Sequence, residues 1–315
     1  MFLVMRMIIS QEFKFYMTKE IISNKFKLLQ TTICEGLEEL DGNVRFQSDS
    51  WERAEGGGGR TNTILNGKII EKCGVAFSAV HGPVSQVMKQ QLGLDGDAFF
   101  ATGISIVIHP LSPHVPIIHM NIRYFELDNG TYWFGGGIDL TPHYVVPENA
   151  RVFHGRLKSI CDKHSPQFYE RHKPWADTYF YIPHRNESRG IGGIFFDHLS
   201  EQSTSLSKKE LFNYCTELAG SFVSIYSDQV QLGKDKIASE EHLRWRDLRR
   251  GRYVEFNLVH DKGTKFGLFS GGRTESILMS LPPVANWHYD YHPKADSEEE
   301  ATLRYLSSTQ NWIAI

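Results

Sequence analysis

Hydrophobic and polar residues alternate along two neighbouring stretches of the chain. In the first stretch, 103–109, an extended backbone puts Ser105, Val107 and His109 on one face, because successive strand side chains point to opposite sides. Isoleucines take the other face. This alternation predicts a strand with one face in the core and one face that carries polar groups.

The second stretch, 118–124, repeats the pattern with more chemistry on its polar face. His119, Asn121 and Arg123 alternate with isoleucine, methionine and tyrosine. Surface strands more often carry Thr, Lys and Glu, whereas His, Asn and Arg are typical of a strand that borders a ligand cavity. Because His119 to Arg123 spans roughly 13 Å at about 3.3 Å per residue, we expect a cavity for a sizeable anionic ligand.

Helical and strand-like patterns cover the rest of the chain. Apolar residues at helical spacing predict helices over 18–40, 83–92, 147–164, 166–180, 207–232, 274–281 and 298–307. Shorter runs predict strands over 44–53, 62–65, 68–80, 131–134 and 191–196, and a hairpin made of 253–259 and 263–269. The prediction is an α+β fold with a mostly antiparallel sheet, in a single domain over 18–315 that follows an N-terminal extension over 1–17.

Composition and charge narrow the class of protein. A hydrophobic fraction of 41% and a charged fraction of 23% are those of a soluble globular protein. The net charge of −3 argues against nucleic acid as a partner, because it leaves no excess of cations to neutralise phosphates. No apolar run approaches the roughly 18 residues of a transmembrane segment. The four cysteines lie far apart, which is typical of reduced thiols in a cytoplasmic protein.

Fourteen histidines raise the question of a metal site. The strongest candidates, His109, His119, His154 and His184, are far apart in sequence, and no pair has the spacing of two ligands on one helix face. The alternative is that each is a hydrogen-bonding or general-acid residue. His119 is the best acid–base candidate, since polar residues share its predicted face.

The glycine-rich segments allow two interpretations each. Gly56 to Gly59 and Gly135 to Gly137 indicate either tight passage of the backbone or a mobile lid. Gly271-Gly272-Arg273 precedes a predicted helix and is interpreted either as a carboxylate clamp or as a simple turn with a surface arginine. Asp139 follows a glycine turn at a strand end, where it is either a cap or a hydrogen-bond acceptor that faces the cavity.

Several longer motifs resemble one known family. GISIVIHP, PIIHMNIRYF, WFGGGIDLTPHY, YFYIPHRNESRGIGGIFFD, RRGRYVEFNLV and FGLFSGGRTESILMSLPP resemble segments of the oxygen-dependent coproporphyrinogen III oxidases. The similarity extends from about Trp51 to the C-terminus. It implies a large, flat antiparallel sheet covered by helices on both faces, and a homodimer. It also implies oxidative decarboxylation of the ring A and B propionates of coproporphyrinogen III to vinyl groups, with O₂ consumed and protoporphyrinogen IX, CO₂ and H₂O₂ formed.

The resemblance also implies roles for individual residues. The implied substrate contacts are Ser105, Asn121, Arg123, Gly271, Gly272 and Arg273. His119 is the implied proton donor, and residues 253–288 resemble the dimerisation region. The family's proposed divalent-metal ligands fall on His109, His119, His154 and His184.

These assignments agree with the chemistry of the substrate. Four carboxylates suit the guanidinium groups of Arg123 and Arg273, and the pyrrole N–H groups suit Asp139 as an acceptor. A catalytic Asp139 beneath the ring would stabilise a cationic pyrrole. We therefore expect Arg273 and Asp139 to converge on one hollow. A porphyrinogen is itself a reductant, so no organic cofactor is expected.

Two other functions are compatible with the sequence. A metal-dependent hydrolase that uses the same histidines would contain stoichiometric zinc or manganese and would lose activity with chelators. A non-catalytic tetrapyrrole carrier would bind porphyrins and release no CO₂. The oxygen-independent enzyme of the same pathway step needs a closely spaced cysteine triplet, which this chain lacks.

Overall fold

The computed structural model describes residues 17–269 and 272–315. The strands in this part of the chain are β1 Gln47–Glu52, β2 Gly57–Leu65, β3 Ile70–Pro83, β4 Ala98–Pro110, β5 Ile117–Leu127, β6 Tyr132–Thr141, β7 Tyr181–Ile182, β8 Glu187–Ser188 and β9 Gly193–Leu199. The helices are α1 Lys19–Asp41, α2 Gln86–Leu92, α3 Pro147–His164, α4 Phe168–Tyr179, α5 Lys208–Gly220, α6 Phe222–Gly233, α7 Glu240–Glu255, α8 Lys262–Phe269, α9 Thr274–Leu278 and α10 Glu298–Leu306. A 3-10 turn, Pro183–Arg185, and a π-helical turn, Phe256–His260, complete these elements.

Seven strands form one sheet in the order β1-β2-β3-β4-β5-β6-β9, and every neighbouring pair is antiparallel. Helices α3 and α4 lie in the connection from β6 to β9. The two alternating stretches of the sequence are β4 and β5, which pair with Ser105 opposite Asn121. The predicted α+β class, the antiparallel sheet and the shared polar face of these strands are therefore confirmed.

One face of the sheet, here called the core face, carries the isoleucines of β4 and β5. Ile106, Met120 and Ile138 are fully buried there, in one hydrophobic cluster with residues of α1, α3, α5 and α6. Helix α1 begins after Thr18, whose hydroxyl caps the first turn, and ends at Gly42 in the left-handed conformation, with φ 76°. These two caps explain why the periodic apolar pattern ends where it does.

The opposite face, here called the site face, is only partly covered by helices. Helix α9 lies over β2, where Ser276 Oγ is 2.9 Å from Thr61 Oγ1. Just beyond it, the carbonyl oxygen of Ser280 is 2.9 Å from His109 Nε2. Tyr253 of α7 is buried against residues of β4 and β5. Helices therefore cover parts of both faces, as the family resemblance implied.

The single helix predicted over 207–232 is two helices, α5 and α6, which meet at Gly220 and Ser221. Gly–Ser pairs are a common place for a helix to bend or break, since glycine adds flexibility and serine competes for backbone hydrogen bonds. The predicted start is confirmed, because Ser207 and Glu210 form a complete capping box.

The predicted hairpin over 253–269 is wrong. The segment is helical, since α7 continues into the π-helical turn and then into α8. Its alternating aromatic and branched residues imitate a strand, but Tyr253 and Phe256 are three residues apart and both buried on the side that faces the sheet. A π-helical turn is frequent at functional sites, and this one lies beside the residues described below.

The lid interpretation of Gly56 to Gly59 is also wrong. Gly57 to Gly59 begin β2, with hydrogen-bonded neighbours in both β1 and β3. A Cβ atom on Gly59 would lie 2.5 Å from the ring of Trp51, so glycine is required for close passage of that indole. Gly135 to Gly137 likewise lie within β6. The alternative interpretation, tight backbone passage, is therefore the correct one at both runs.

All four cysteines lie in the described part of the chain, and all are free and buried. Burial raises the pKa of the Cys34 thiol to about 11, which keeps it in the unreactive protonated form. These positions agree with structural thiols. Within residues 17–269 and 272–315, no helix combines the length and the apolar character needed to cross a bilayer.

Candidate active site

The accessible part of the site face is a strip of small and polar residues, here called the floor. Its half-buried members are Ala76, Ser78, Gly103, Ser105, Asn121 and Arg123. Partners across antiparallel strands share a face, so the pairing register arranges the floor in two rows. The first row runs Asp49, Thr61, Ala76, Ser105, Asn121, Gly137, and the second runs Trp51, Gly59, Ser78, Gly103, Arg123, Gly135.

A hydrogen-bonded triad of His119, Asp139 and Arg189 lies at the β5–β6 end of the floor. His119 Nδ1 is 2.7 Å from Asp139 Oδ1, and Arg189 Nη2 donates to Asp139 Oδ2 at 2.6 Å. Because a carboxylate accepts the Nδ1 proton, the imidazole turns Nε2 toward Asn121, whose amide nitrogen is 3.4 Å away. The geometry presents one imidazole nitrogen to the floor and holds the other in place.

Asp139 is ionised although it is almost fully buried. Burial alone raises the pKa of this carboxyl, but the charge of Arg189 and the hydrogen bonds from His119 and Arg189 outweigh it, so the pKa lies below its ordinary value. The side chains of Asp139 and Arg189 are each only 3% exposed. Both oxygens of Asp139 are engaged, so the expectation that it accepts pyrrole N–H groups directly is not supported by this geometry.

Arg189, which sequence analysis did not single out, is enclosed by three aromatic rings. Its guanidinium carbon is 4.4 Å from the centre of the Phe180 ring, 4.5 Å from Tyr253 and 4.7 Å from Phe256. Asn257 accepts a further hydrogen bond at 2.8 Å. Cation–π contact compensates for desolvation of the guanidinium. The only signal in the sequence was its place in the ESRGIGG segment, and its partners come from the region mistaken for a hairpin.

Arg123 lies flat on β6 at the same end of the floor. Its guanidinium pairs with Asp197 at 2.9 Å and donates to Asn121 Oδ1 at 3.0 Å. A Cβ on Gly135 would lie 2.7 Å from Arg123 Nε and 2.6 Å from Asp197 Oδ1, so this glycine makes room for the ion pair. Asn121, Arg123 and His119 are thus brought together as predicted, while Asp197 was missed because nothing in its local sequence indicates a distant partner.

Stacked aromatic rings border the second row of the floor. Phe99 stacks on Phe125, Phe125 on Trp133, and Trp133 on His198, with ring centres 5.7, 4.4 and 4.9 Å apart. The rings come from β4, β5, β6 and β9, so they form a wall across the sheet. An apolar, planar wall beside a row that contains Arg123 suits a flat ligand with charged arms.

Arg273 lies at the opposite end of the floor, whereas the sequence predicted that it would converge with Asp139. Its guanidinium pairs with Asp49 of the edge strand β1, and Arg273 Nη1 is 3.3 Å from Ser276 Oγ. Strands β1 and β6 are five strand spacings apart, or about 24 Å at about 4.8 Å each. Arg273 and Asp139 therefore do not converge; they lie at opposite ends of one floor. Gly271 lies outside the described residues, and Gly272 precedes α9 on the surface.

The four candidate metal ligands have four separate surroundings. His109 is fully buried beside Ser280, and burial lowers its pKa to about 3. His154 is buried among residues that pack on the core face, where it bonds Tyr169 Oη and the carbonyl of Ile191. His119 belongs to the triad, and His184 lies on the surface between His260 and Glu255.

The expected histidine metal set is therefore not assembled. Across the described ranges, no three His, Cys, Asp or Glu side chains are grouped so that they could hold one ion. Each predicted ligand already has a protein partner, which agrees with the alternative interpretation of the histidines as hydrogen-bonding residues.

Comparison with known proteins agrees with the geometry. The family model described as coproporphyrinogen III oxidase matches residues 21–312. The chain is 45% identical over 298 residues to the human protein named oxygen-dependent coproporphyrinogen-III oxidase, mitochondrial. This match covers 90% of this chain and 65% of the human protein. It is 44% identical to the Drosophila melanogaster protein of that enzyme name over 94% of this chain and 79% of the fly one.

A third relative is the Arabidopsis thaliana protein named coproporphyrinogen-III oxidase 1, chloroplastic, which is 43% identical over 90% of this chain and 76% of its own length. The chain thus spans just under two thirds of the human relative and more of the other two. The motifs, the fold and these matches lead to one assignment: the chain belongs to the coproporphyrinogen III oxidase family.

Proposed function

We propose that this chain catalyses the O₂-dependent oxidative decarboxylation of coproporphyrinogen III to protoporphyrinogen IX, a step of haem biosynthesis. The observation that carries the proposal is the buried Asp139–Arg189 pair, which fixes an imidazole at the edge of a half-exposed floor. The names of the relatives and the family match support the same reaction.

The chemistry balances for each of the two propionates as follows. The propionate gives up a hydride equivalent from its Cβ to O₂, and the electron pair of its C–CO₂ bond becomes the new double bond. The products are a vinyl group, CO₂ and, after uptake of one proton, H₂O₂. The electron-rich pyrrole stabilises the positive charge that develops when hydride leaves. No organic redox cofactor is needed in this scheme, because the substrate is the reductant and O₂ the oxidant.

His119 is the group suited to supply that proton. Its Nε2 faces the floor, and its Nδ1 is held by the Asp139 carboxylate at 2.7 Å. Asp139 acts as a positioning residue, since both its oxygens are occupied by His119 and Arg189. The negative charge of the buried Asp139 also favours positive charge on a pyrrole bound over the floor.

The charged arms of the substrate are assigned to the two arginines. Arg123 has a half-exposed guanidinium beside Asn121 and Ser105, which offer hydrogen bonds to carboxylate or pyrrole groups. Arg273, with Gly272 beside it, serves the far end of the floor. Gly271 stays a predicted contact. A macrocycle that covers the small residues between the two ends would lie flat against the sheet.

We also propose that the chain forms a homodimer through residues 253–288. This segment exposes an unusual set of apolar side chains, with Phe269 86% and Trp287 52% exposed, together with Leu258, Val259, Leu268 and Val284. Large exposed apolar patches mark interaction sites. Light scattering after gel filtration would test this, and a monomer at micromolar concentration would refute it.

The cytoplasm stays the location predicted from the sequence. The human and Arabidopsis relatives carry names that place those proteins in mitochondria and chloroplasts. A divalent metal stays a prediction as well, although the residues do not fit the shared histidine set described above.

The deciding experiment is aerobic incubation of the purified chain with coproporphyrinogen III, followed by oxidation and porphyrin fluorescence to identify product. CO₂ release measured in parallel separates an enzyme from a tetrapyrrole carrier, which binds porphyrin and releases none. Incubation without O₂ is the control. Product formation that is equal with and without O₂ would contradict the proposal.

A further inference from the structure

The ion pair between Asp49 and Arg273 is not explained by the mechanism. It joins residues 224 positions apart, on the edge strand β1 and at the N-cap of α9. Both partners are accessible, with the side chain of Arg273 30% and that of Asp49 59% exposed. A structural tie between α9 and the sheet is already provided by Ser276 and Thr61 at 2.9 Å, so the pair is free to serve another purpose.

The position of Asp49 relates it directly to the floor. Asp49 is the first member of the row that continues through Thr61, Ala76 and Ser105 to Asn121. All these side chains point to the site face. Three strand spacings separate Asp49 from Ser105, or about 14 Å, which is within reach of a macrocycle with carboxylate arms that rests on the floor.

The chemistry at this end favours an anion. Arg273 supplies a guanidinium, and Ser276 and Thr61 supply hydroxyl groups. The neighbouring row ends at Trp51, whose indole N–H has no hydrogen-bond partner among the described residues. Among the described residues, the carboxylate paired with the guanidinium of Arg273 is that of Asp49. Asp49 therefore occupies the place that a ligand carboxylate would take.

We propose that Asp49 is an internal stand-in for a substrate carboxylate: it holds Arg273 in the ligand-free protein and releases it to a propionate of the bound tetrapyrrole. This inference rests on the proposed function, because it names the same ligand. The exchange is easy since both groups are partly hydrated; the released Asp49 regains water while the incoming propionate accepts the guanidinium hydrogen bonds. Asp49 thus keeps Arg273 extended toward the floor and lowers affinity for ligands that lack a carboxylate able to displace it.

The test measures binding of coproporphyrin III, the aromatic tetracarboxylate that cannot react, by its fluorescence. Asp49→Asn removes the competing charge, so the Kd is expected to fall about two- to fivefold, the range set by one exposed ion pair. Glu52→Gln is the matched control, because it makes the same charge change on the same strand but on the opposite face. We expect it to leave the Kd unchanged.

A second variant, Arg273→Ala, distinguishes the exchange of carboxylates on Arg273 from a general effect of charge. In Arg273→Ala the Asp49→Asn change is expected to have no further effect on the Kd. Weaker binding by Asp49→Asn, an equal effect of Glu52→Gln, or an undiminished effect in Arg273→Ala would each overturn the exchange while leaving the catalytic proposal intact. If the unaltered chain neither binds coproporphyrin III nor releases CO₂ from coproporphyrinogen III, both proposals fail.

Discussion

Two carboxylate–guanidinium pairs lie at the two ends of one floor, and they differ sharply in burial. Asp139 and Arg189 are each 3% exposed, whereas Asp49 and Arg273 are 59% and 30% exposed. A buried pair is expensive to break, because removal of one partner leaves a charge without water. An exposed pair contributes little to stability and can be exchanged. The same two functional groups thus serve as fixed scaffold at one end and as replaceable contact at the other.

The largest effect is expected for Asp139→Asn. The amide can neither orient His119 as the carboxylate does nor neutralise Arg189, so kcat should fall by roughly 10²–10⁴-fold, the range of acid–base catalysis. Binding of coproporphyrin III should change far less. Steady-state kinetics and fluorescence titration measure the two quantities. Near-normal turnover would remove the triad from the mechanism.

Arg189→Met tests the buried pair through stability. It leaves Asp139 as an unpaired buried carboxylate, so the free energy of unfolding should fall by about 3–5 kcal/mol in urea titrations. Arg273→Met, the matched change at the exposed end, should cost at most about 1 kcal/mol. The double variant Arg189→Met/Asp139→Asn should recover part of the loss. Equal costs at both ends would erase the distinction drawn from burial.

Arg273→Ala is expected to affect binding rather than stability. Loss of charge-assisted hydrogen bonds to a propionate should raise KM roughly ten- to a hundredfold. Melting temperature should hardly move, since the partners of the guanidinium within residues 17–269 and 272–315 are the exposed Asp49 and Ser276. An unchanged kcat/KM would show that the far end of the floor takes no carboxylate.

A further effect, separate from both ion pairs, is a gradual loss of stability in acid. Burial lowers the pKa of His109 and of His154 to about 3 in the folded protein. Since an unfolded histidine has a pKa near 6.5, the unfolded chain binds more protons between about pH 6.5 and pH 3, and stability falls as pH falls. Each histidine contributes a slope of about 1.4 kcal/mol per pH unit. The free energy of unfolding, measured by urea titration at several pH values, should depend less steeply on pH in His154→Gln, because one proton fewer is taken up on unfolding. An unaltered slope would contradict this origin.

Sequence pattern alone predicted the part of the site that lies on consecutive strands. Alternation predicted that Ser105 and His109 share one face of β4, and that His119 and Arg123 share one face of β5, because strand geometry has a fixed period of two. The register that puts Ser105 opposite Asn121 is given only by the structure. The same local rule failed at 253–269, where a helix with two buried aromatic rings imitates a strand. That error concealed the aromatic surroundings of Arg189.

The remaining site residues could not be predicted from local pattern. Asp197 and Asp49 acquire their roles from partners 74 and 224 positions away, and no periodicity carries such information. The four histidines were grouped as a metal set because the sequence does not show how far apart they lie in the fold. The sequence shows which residue types are present, whereas only the packing of the two sheet faces shows that His154 and His119 are on different sides.

Gly135 illustrates how a residue without a side chain can determine selectivity. Gly135 has no side chain that could contact a ligand, yet any larger residue there would push Arg123 away from Asp197. The direct consequence of an alanine at this position is therefore a misdirected cation at the edge of the floor.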